Sequence, residues 1–291
     1  MEGCSLVNLV SSGMFIEPLL HPKPGAVTRI LGHRDKDVVR FAVHASLAGE
    51  ILVRGCERSR NFGCRGGISY MLSEYLERVA HKFKDNIAYG TFFLLAPIAS
   101  ALGMTSSTSP AKVAAAARDV VEGCTGERES TLHLKILRLI SPSHLGRYRG
   151  PIPDVFESSS PPPLPRLLRL ASWDLVHSEP VKGYPVSLEA FNSIQRMVEE
   201  GYDLEGASLA ALLGILAEWG DTLIYQKFGG RAYILAMREA RAALEMSRRL
   251  GVMPALVWLD SIWRPRGWNP GAILDILAVG IGFYMLEFGS S

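Results

Sequence analysis

Apolar residues along the 291-residue chain recur at three- and four-residue steps far more often than they alternate. In the stretch DVVRFAVHASLAGEIL, Val38, Ala42, Ala45, Ala48 and Leu52 share one face, while Arg40, His44 and Glu50 fall elsewhere, the pattern of an amphipathic helix. The same spacing predicts helices near 4–20, 67–83, 87–103, 110–122, 131–140, 187–200, 204–218, 230–250 and 270–287. No segment carries a defensible strand pattern. The fold class that follows is all-α, a single multi-helix globular bundle.

One segment breaks the helical rhythm. From Ser141 to Pro165 the chain reads SPSHLGRYRGPIPDVFESSSPPPLP, too rich in Pro, Ser and Gly for a helix. Helical patterns of one kind flank it, so it is expected to be a loop excursion, at about 141–165, from a single domain spanning 1–291. The most apolar run, Gly271 to Leu286, is short for a membrane span and is interrupted by Asp275, so a buried core helix is expected in its place.

Composition narrows the function classes. Lys plus Arg number 31 and Asp plus Glu 29, a formal charge of +2, too small for a partner such as duplex nucleic acid that is held by charge. The seven histidines and four cysteines show no His-x-x-x-His or Cys-x-x-Cys spacing of a zinc site. Cys4, Cys56, Cys64 and Cys124 are too few in a chain of this length for a disulfide framework, which makes reduced thiols in a cytoplasmic protein the expectation. No basic leader precedes the first apolar stretch. Helices rich in Ala and Gly suit a homodimer and suit a core equally well.

Polar clusters interrupt the apolar helices at five places. In HPKPGAVTR two prolines and Gly25 stiffen a loop that presents Lys23, a residue suited to phosphate, though the same words make an ordinary turn. In GHRDKDVVRF, His33, Asp35 and Asp37 crowd the start of a helix, where they serve either as caps or as a general base and Mg²⁺ ligands. Asn86 precedes an apolar helix as a cap, and Gly90 lets another group approach its first turn. WGDTLIYQKFGG places Asp221 and Lys227 before a glycine stop. GWNPGAILDIL opens a helix with Asn269, Pro270 and Gly271, leaving Asp275 in an otherwise apolar second turn, where a buried carboxylate has to be paired, protonated or bound to a cation. The common phosphate cradles, G-x-x-x-x-G-K-[ST] and G-x-G-x-x-G, are absent.

Taken in order, PKPGAV (22–27), GHRDKDVVRFAVHAS (32–46), the segment 86–90, DTLIYQKFG (221–229) and NPGAILDILA (269–278) resemble the triphosphoribosyl-dephospho-CoA synthase family. The wording NIAYGTFFLLAPIA and the segment from Trp173 to Phe191 are similar to the family's archaeal branch, and Ala88 and Tyr89 stand where bacterial members carry His and Lys. The resemblance implies a cytosolic helical enzyme that moves the triphosphoribosyl group of ATP onto a ribose hydroxyl of dephospho-CoA, or a related CoA-like acceptor, and releases adenine. It implies catalytic roles for His33, Asp35, Asp37 and Asp221, and nucleotide contacts from Lys23, Gly25, Asn86, Gly90, Thr222, Lys227, Asn269 and Gly271. Asp37, Asp221 and Asp275 are the implied ligands of Mg²⁺. This reading requires acids and lysines to converge on one pocket. The competing readings are a nucleotide phosphotransferase or hydrolase of another coenzyme pathway, and a non-catalytic helical binding protein.

Overall fold

A computed structural model describes residues 3–33, 36–105, 107–141, 154–156 and 160–289. Most of the expected loop excursion, 142–153 and 157–159, therefore lies outside the described residues. Among the described residues the regular structure is helical, apart from one isolated bridge between His33 and Lys36.

A short N-terminal pair, α1 (Leu6–Ser11) and α2 (Gly13–Leu19), replaces the single helix expected over 4–20. Then come α3 (Val38–Phe62), α4 (Cys64–Tyr75), a π turn (Leu76–Ala80) and α5 (His81–Phe83). The middle of the chain forms α6 (Tyr89–Met104), α7 (Pro110–Cys124) and α8 (Glu127–Ile140). Two short helices, α9 (Leu164–Leu170) and α10 (Leu175–Lys182), lead to α11 (Pro185–Glu199) and α12 (Leu204–Trp219). The last are α13 (Thr222–Leu250), which breaks at Gly229 (φ 82°) and resumes, α14 (Val252–Trp263) and α15 (Gly271–Phe288).

The layering follows from which helices have a polar face. Helices α6, α12 and α15 are apolar on nearly every side and so must be surrounded. Accordingly α6 packs on α3, α7 and α15, and α15 on α1, α2, α11 and α12. Amphipathic α3, α7, α8, α11 and α13 form the outer shell. Helix α15 has the length and hydropathy to cross a membrane, yet 67% of it is buried inside the fold. It meets α1 and α2 at backbone distance: a methyl group added to Gly13 would stand 1.9 Å from the Ala278 carbonyl oxygen, and one on Gly282 would stand 2.1 Å from that of Val10.

The expectation of reduced thiols is corrected by the fold. Cys4 bonds to Cys56, tying the N-terminal turn to α3, and Cys64 bonds to Cys124, tying the start of α4 to the end of α7, with Cα–Cα separations of 5.7 Å in both pairs. Packing brings together residues 52 and 60 positions apart, which no sequence spacing could reveal. Closing loops of that length removes about 4 kcal/mol of unfolded-state entropy per bridge. Reductant, or Cys4→Ser and Cys64→Ser, should therefore lower the melting temperature by several degrees each; four titratable thiols in the unreduced, unfolded protein would sink this expectation.

Candidate active site

A cleft of about 280 Å³ opens where the loop before α3, the starts of α6, α13 and α15, and α8 and α10 meet. Its position follows from one carboxylate. Asp221 caps α13 by accepting the N–H of Ile224 at 2.9 Å, and its other oxygen accepts the N–H of Ile273, in the first turn of α15, at 2.9 Å. Two helix starts are thus held side by side by a residue that is 1% exposed. Burial raises its carboxyl to about 7, against the pull of those backbone N–H groups and with a push from Asp174.

Asp275, one turn into α15, forms the cleft wall. Its Oδ1 accepts from the Thr91 N–H at 3.0 Å and the Thr91 hydroxyl at 2.5 Å, and Oδ2 is turned towards Gly90. A Cβ at residue 90 would stand 2.1 Å from that oxygen, so the glycine is what lets α6 and this carboxylate meet. Burial raises Asp275 to about 7 as well, opposed by the Thr91 bonds and helped by Glu17.

Three lysines reach the cleft. Lys23 is buried, its Nζ donating to the Glu17 carbonyl at 2.7 Å and to the Glu17 carboxylate. Burial lowers the Lys23 amine and raises the Glu17 carboxyl, each partly offset by the other. The loop carrying Lys23 is fastened from α14: Asp260 accepts the Gly25 N–H at 2.7 Å, and Arg264 donates to the Ala26 carbonyl at 2.9 Å. Lys36 pairs with Asp85 at 3.1 Å and donates to the Asn86 carbonyl, which brings the second cluster against the third. Lys227 faces the cleft from α13, and Asn269 presents a buried Oδ1 with no hydrogen-bond partner.

The sequence-predicted residues therefore divide. Lys23, His33, Asn86, Gly90, Lys227, Asn269, Gly271 and Asp275 all line the cleft. Asp37 does not: it is an exposed cap on α3, accepting the Arg40 N–H at 2.9 Å. Asp221 lies behind the wall, Thr222 uses its hydroxyl to accept the Leu175 N–H at 3.3 Å, and Gly25 packs against the Trp268 carbonyl. Asp35 lies outside the described residues. The expected Mg²⁺ triad is not brought together: Asp37 caps α3 through Oδ1, and the two oxygens of Asp221 accept backbone N–H groups behind the cleft wall. Among the described residues no three His, Cys, Asp or Glu side chains are grouped to hold a metal ion.

Sequence reasoning missed Glu17, Lys36, Asp85, His133, Asp174, His177 and Gln226, which also line the cleft. The one available signal was Asp174-x-x-His177, a capped helix start: Asp174 accepts the His177 N–H at 3.1 Å. Burial pushes Asp174 up, but hydrogen bonding and attraction from His177 and Gln226 leave it below its ordinary value. His133 falls well below the ordinary histidine range through burial first and His177 second.

The match to known proteins is broad. The family model described as ATP:dephospho-CoA triphosphoribosyl transferase matches residues 5–291. Among curated proteins none matches. A solved structure from Archaeoglobus fulgidus, provisionally described as a triphosphoribosyl-dephospho-CoA synthase, is similar with a TM-score of 0.61 and 20% identity, covering 86% of this chain and 98% of that one. At that identity the likeness is one of fold.

Two stability outcomes follow. Folded Asp221 and Asp275 keep their proton up to about pH 7, whereas a free aspartate gives it up near 3.8, so stability falls as pH rises from about 4 to 7 and levels off above. Asp275→Asn should remove part of that slope, raising the urea midpoint above that of the unsubstituted protein at pH 8 and changing it little at pH 5. Asp221→Asn, which leaves one helix N–H facing an amide N–H, should cost about 1–3 kcal/mol at either pH.

Proposed function

Since the chain belongs to the ATP:dephospho-CoA triphosphoribosyl transferase family, we propose that the cleft beneath α15 is where ATP is split between adenine and its triphosphoribosyl group. The acceptor we assign is a ribose hydroxyl of dephospho-CoA, and the chain's branch of the family is the archaeal type. The cytoplasm is the proposed site of the reaction, in which case the two disulfides persist against a reducing pool.

The observation that carries this reading is Asp275, a carboxyl at about 7 on the wall of a cleft with three lysines. Breaking the bond between the ribose anomeric carbon and adenine develops positive charge on the sugar and negative charge on the base. A carboxyl poised near neutrality can give a proton to the departing base and, once ionised, face the cationic sugar. The free Oδ1 of Asn269 offers an acceptor for an N–H of the nucleotide. Lys23, Lys36 and Lys227 supply the charge for the triphosphate.

Among the described residues the expected Mg²⁺ triad does not form, because of Asp37, Asp221 and Asp275 only Asp275 faces the cleft. A Mg²⁺ entering with ATP would be carried by the triphosphate, and no step is assigned to it.

Purified protein given ATP, Mg²⁺ and dephospho-CoA should release free adenine and add a triphosphoribosyl mass to the acceptor. Asp275→Ala should slow adenine release at least ~100-fold. Release of phosphate or ADP without adenine would favour the phosphotransferase or hydrolase reading.

A further inference from the structure

Five polar side chains stand in a row along the cleft. Tyr89 opens α6, His133 lies in α8, Asp174 and His177 belong to the start of α10, and Gln226 projects from α13; all five line the cleft. The Tyr89 hydroxyl is 2.8 Å from His133 Nδ1, and His133 Nε2 is 3.2 Å from His177 Nε2. His177 Nδ1 stands 3.3 Å from Asp174 Oδ1, close enough for attraction although poorly aligned for a hydrogen bond. Gln226 donates to the other oxygen of Asp174.

Proton counting gives this row a direction. Two imidazole nitrogens that face each other can hold one proton between them, so one ring donates and the other accepts. The Asp174 carboxylate draws the proton of neutral His177 to Nδ1, which leaves its Nε2 as an acceptor. His133 must then carry its proton on Nε2 and accept at Nδ1. The donor at Nδ1 is the Tyr89 hydroxyl. Every proton in the row is therefore committed inward, and the lone pairs of the buried Tyr89 oxygen remain as the acceptor at the α6 end of the row.

We propose that Tyr89, His133, His177 and Asp174 form a proton relay that acts as the general base for the acceptor hydroxyl. The step rests on the transferase reading above. The acceptor's O–H proton passes to the Tyr89 oxygen while Tyr89 gives its own to His133 Nδ1, and His133 gives its Nε2 proton to His177 Nε2. The oxygen's electron pair forms the bond to the anomeric carbon as the bond to adenine breaks, its pair leaving with the base, which takes the proton of Asp275. His177, now cationic beside the Asp174 carboxylate, returns its extra proton to solvent through its half-buried edge, and Asp275 is reprotonated from solvent. Tyr89 is the catalytic residue; His133, His177 and Asp174 are positioning residues that receive and hold the proton. The ionisable groups that face the pair are Tyr89, Asp174 and, behind Asp174, Asp221.

The deciding experiment has two arms. Histidine ¹⁵N–¹H correlation spectra of the ligand-free protein should show His133 protonated on Nε2 and His177 on Nδ1, and His133→Gln and His177→Gln assign the signals. Steady-state kinetics of Tyr89→Phe and His177→Gln should show kcat for transfer reduced at least ~100-fold, with KM for ATP within about three-fold of the unsubstituted enzyme. The reverse tautomers, or Tyr89→Phe with unchanged kcat, would overturn the relay while leaving the transferase reading intact. A loss that appears in KM rather than kcat would make the row a binding wall and also overturn it. Failure of the unsubstituted protein to release adenine would overturn the reaction reading itself, and the role of the relay with it.

Discussion

The geometry of the cleft depends on a single buried carboxylate joining two helix starts. Asp221 accepts one N–H from α13 and one from α15, and those helices then present Gln226, Lys227 and Asp275 to the same space. The energetics explain why this residue type is used. Moving the carboxyl from 3.8 to about 7 costs roughly 4 kcal/mol at neutral pH, at about 1.4 kcal/mol per unit. Both backbone hydrogen bonds already act against that shift, so burial outweighs them and the carboxylate adds no net stability at neutral pH. What it contributes is register, since its two oxygens accept from two helix starts at once.

The charges inside the cleft obey a similar economy. Lys23, Lys36 and Lys227 share it with Glu17, Asp85, Asp174 and Asp275, so the walls are not a reservoir of unmatched positive charge. Lys23 is bound to Glu17, and Lys36 to Asp85 and the Asn86 carbonyl. A triphosphate therefore competes with protein oxygens for these amines. Asp275 eases that competition, because a carboxyl raised to about 7 repels a phosphate less than an ordinary aspartate does.

The helical scaffold was legible because a buried stripe leaves a period. The helices that escaped detection are short: α9 and α10 span 7 and 8 residues, and α14 spans 12. The clusters holding Lys23, Asn86, Lys227, Asn269 and Asp275 were legible as polar residues without a local structural reason. Asp37 and Asp221 show the limit. Both are helix caps and look alike in sequence, yet one is exposed and the other is buried against a second helix, a difference made only by tertiary packing. His133 and His177 are 44 positions apart and each is a lone histidine in its helix, so their pairing has no sequence signature. The cysteine pairs were invisible for the same reason.

Helix α15 has a consequence for how strain would travel. Its 18 residues make a rod about 27 Å long, with Asp275 near one end and Gly282, pressed against the Val10 carbonyl, further along. Helices α1, α2, α6, α11 and α12 pack around its buried two thirds. Bulk at Gly282 would press side-on against the Val10 carbonyl and shift the rod, moving the Asp275 carboxylate relative to Thr91. The contact deep in the core thus acts as a mechanical stop that sets where the reactive end of the rod comes to rest.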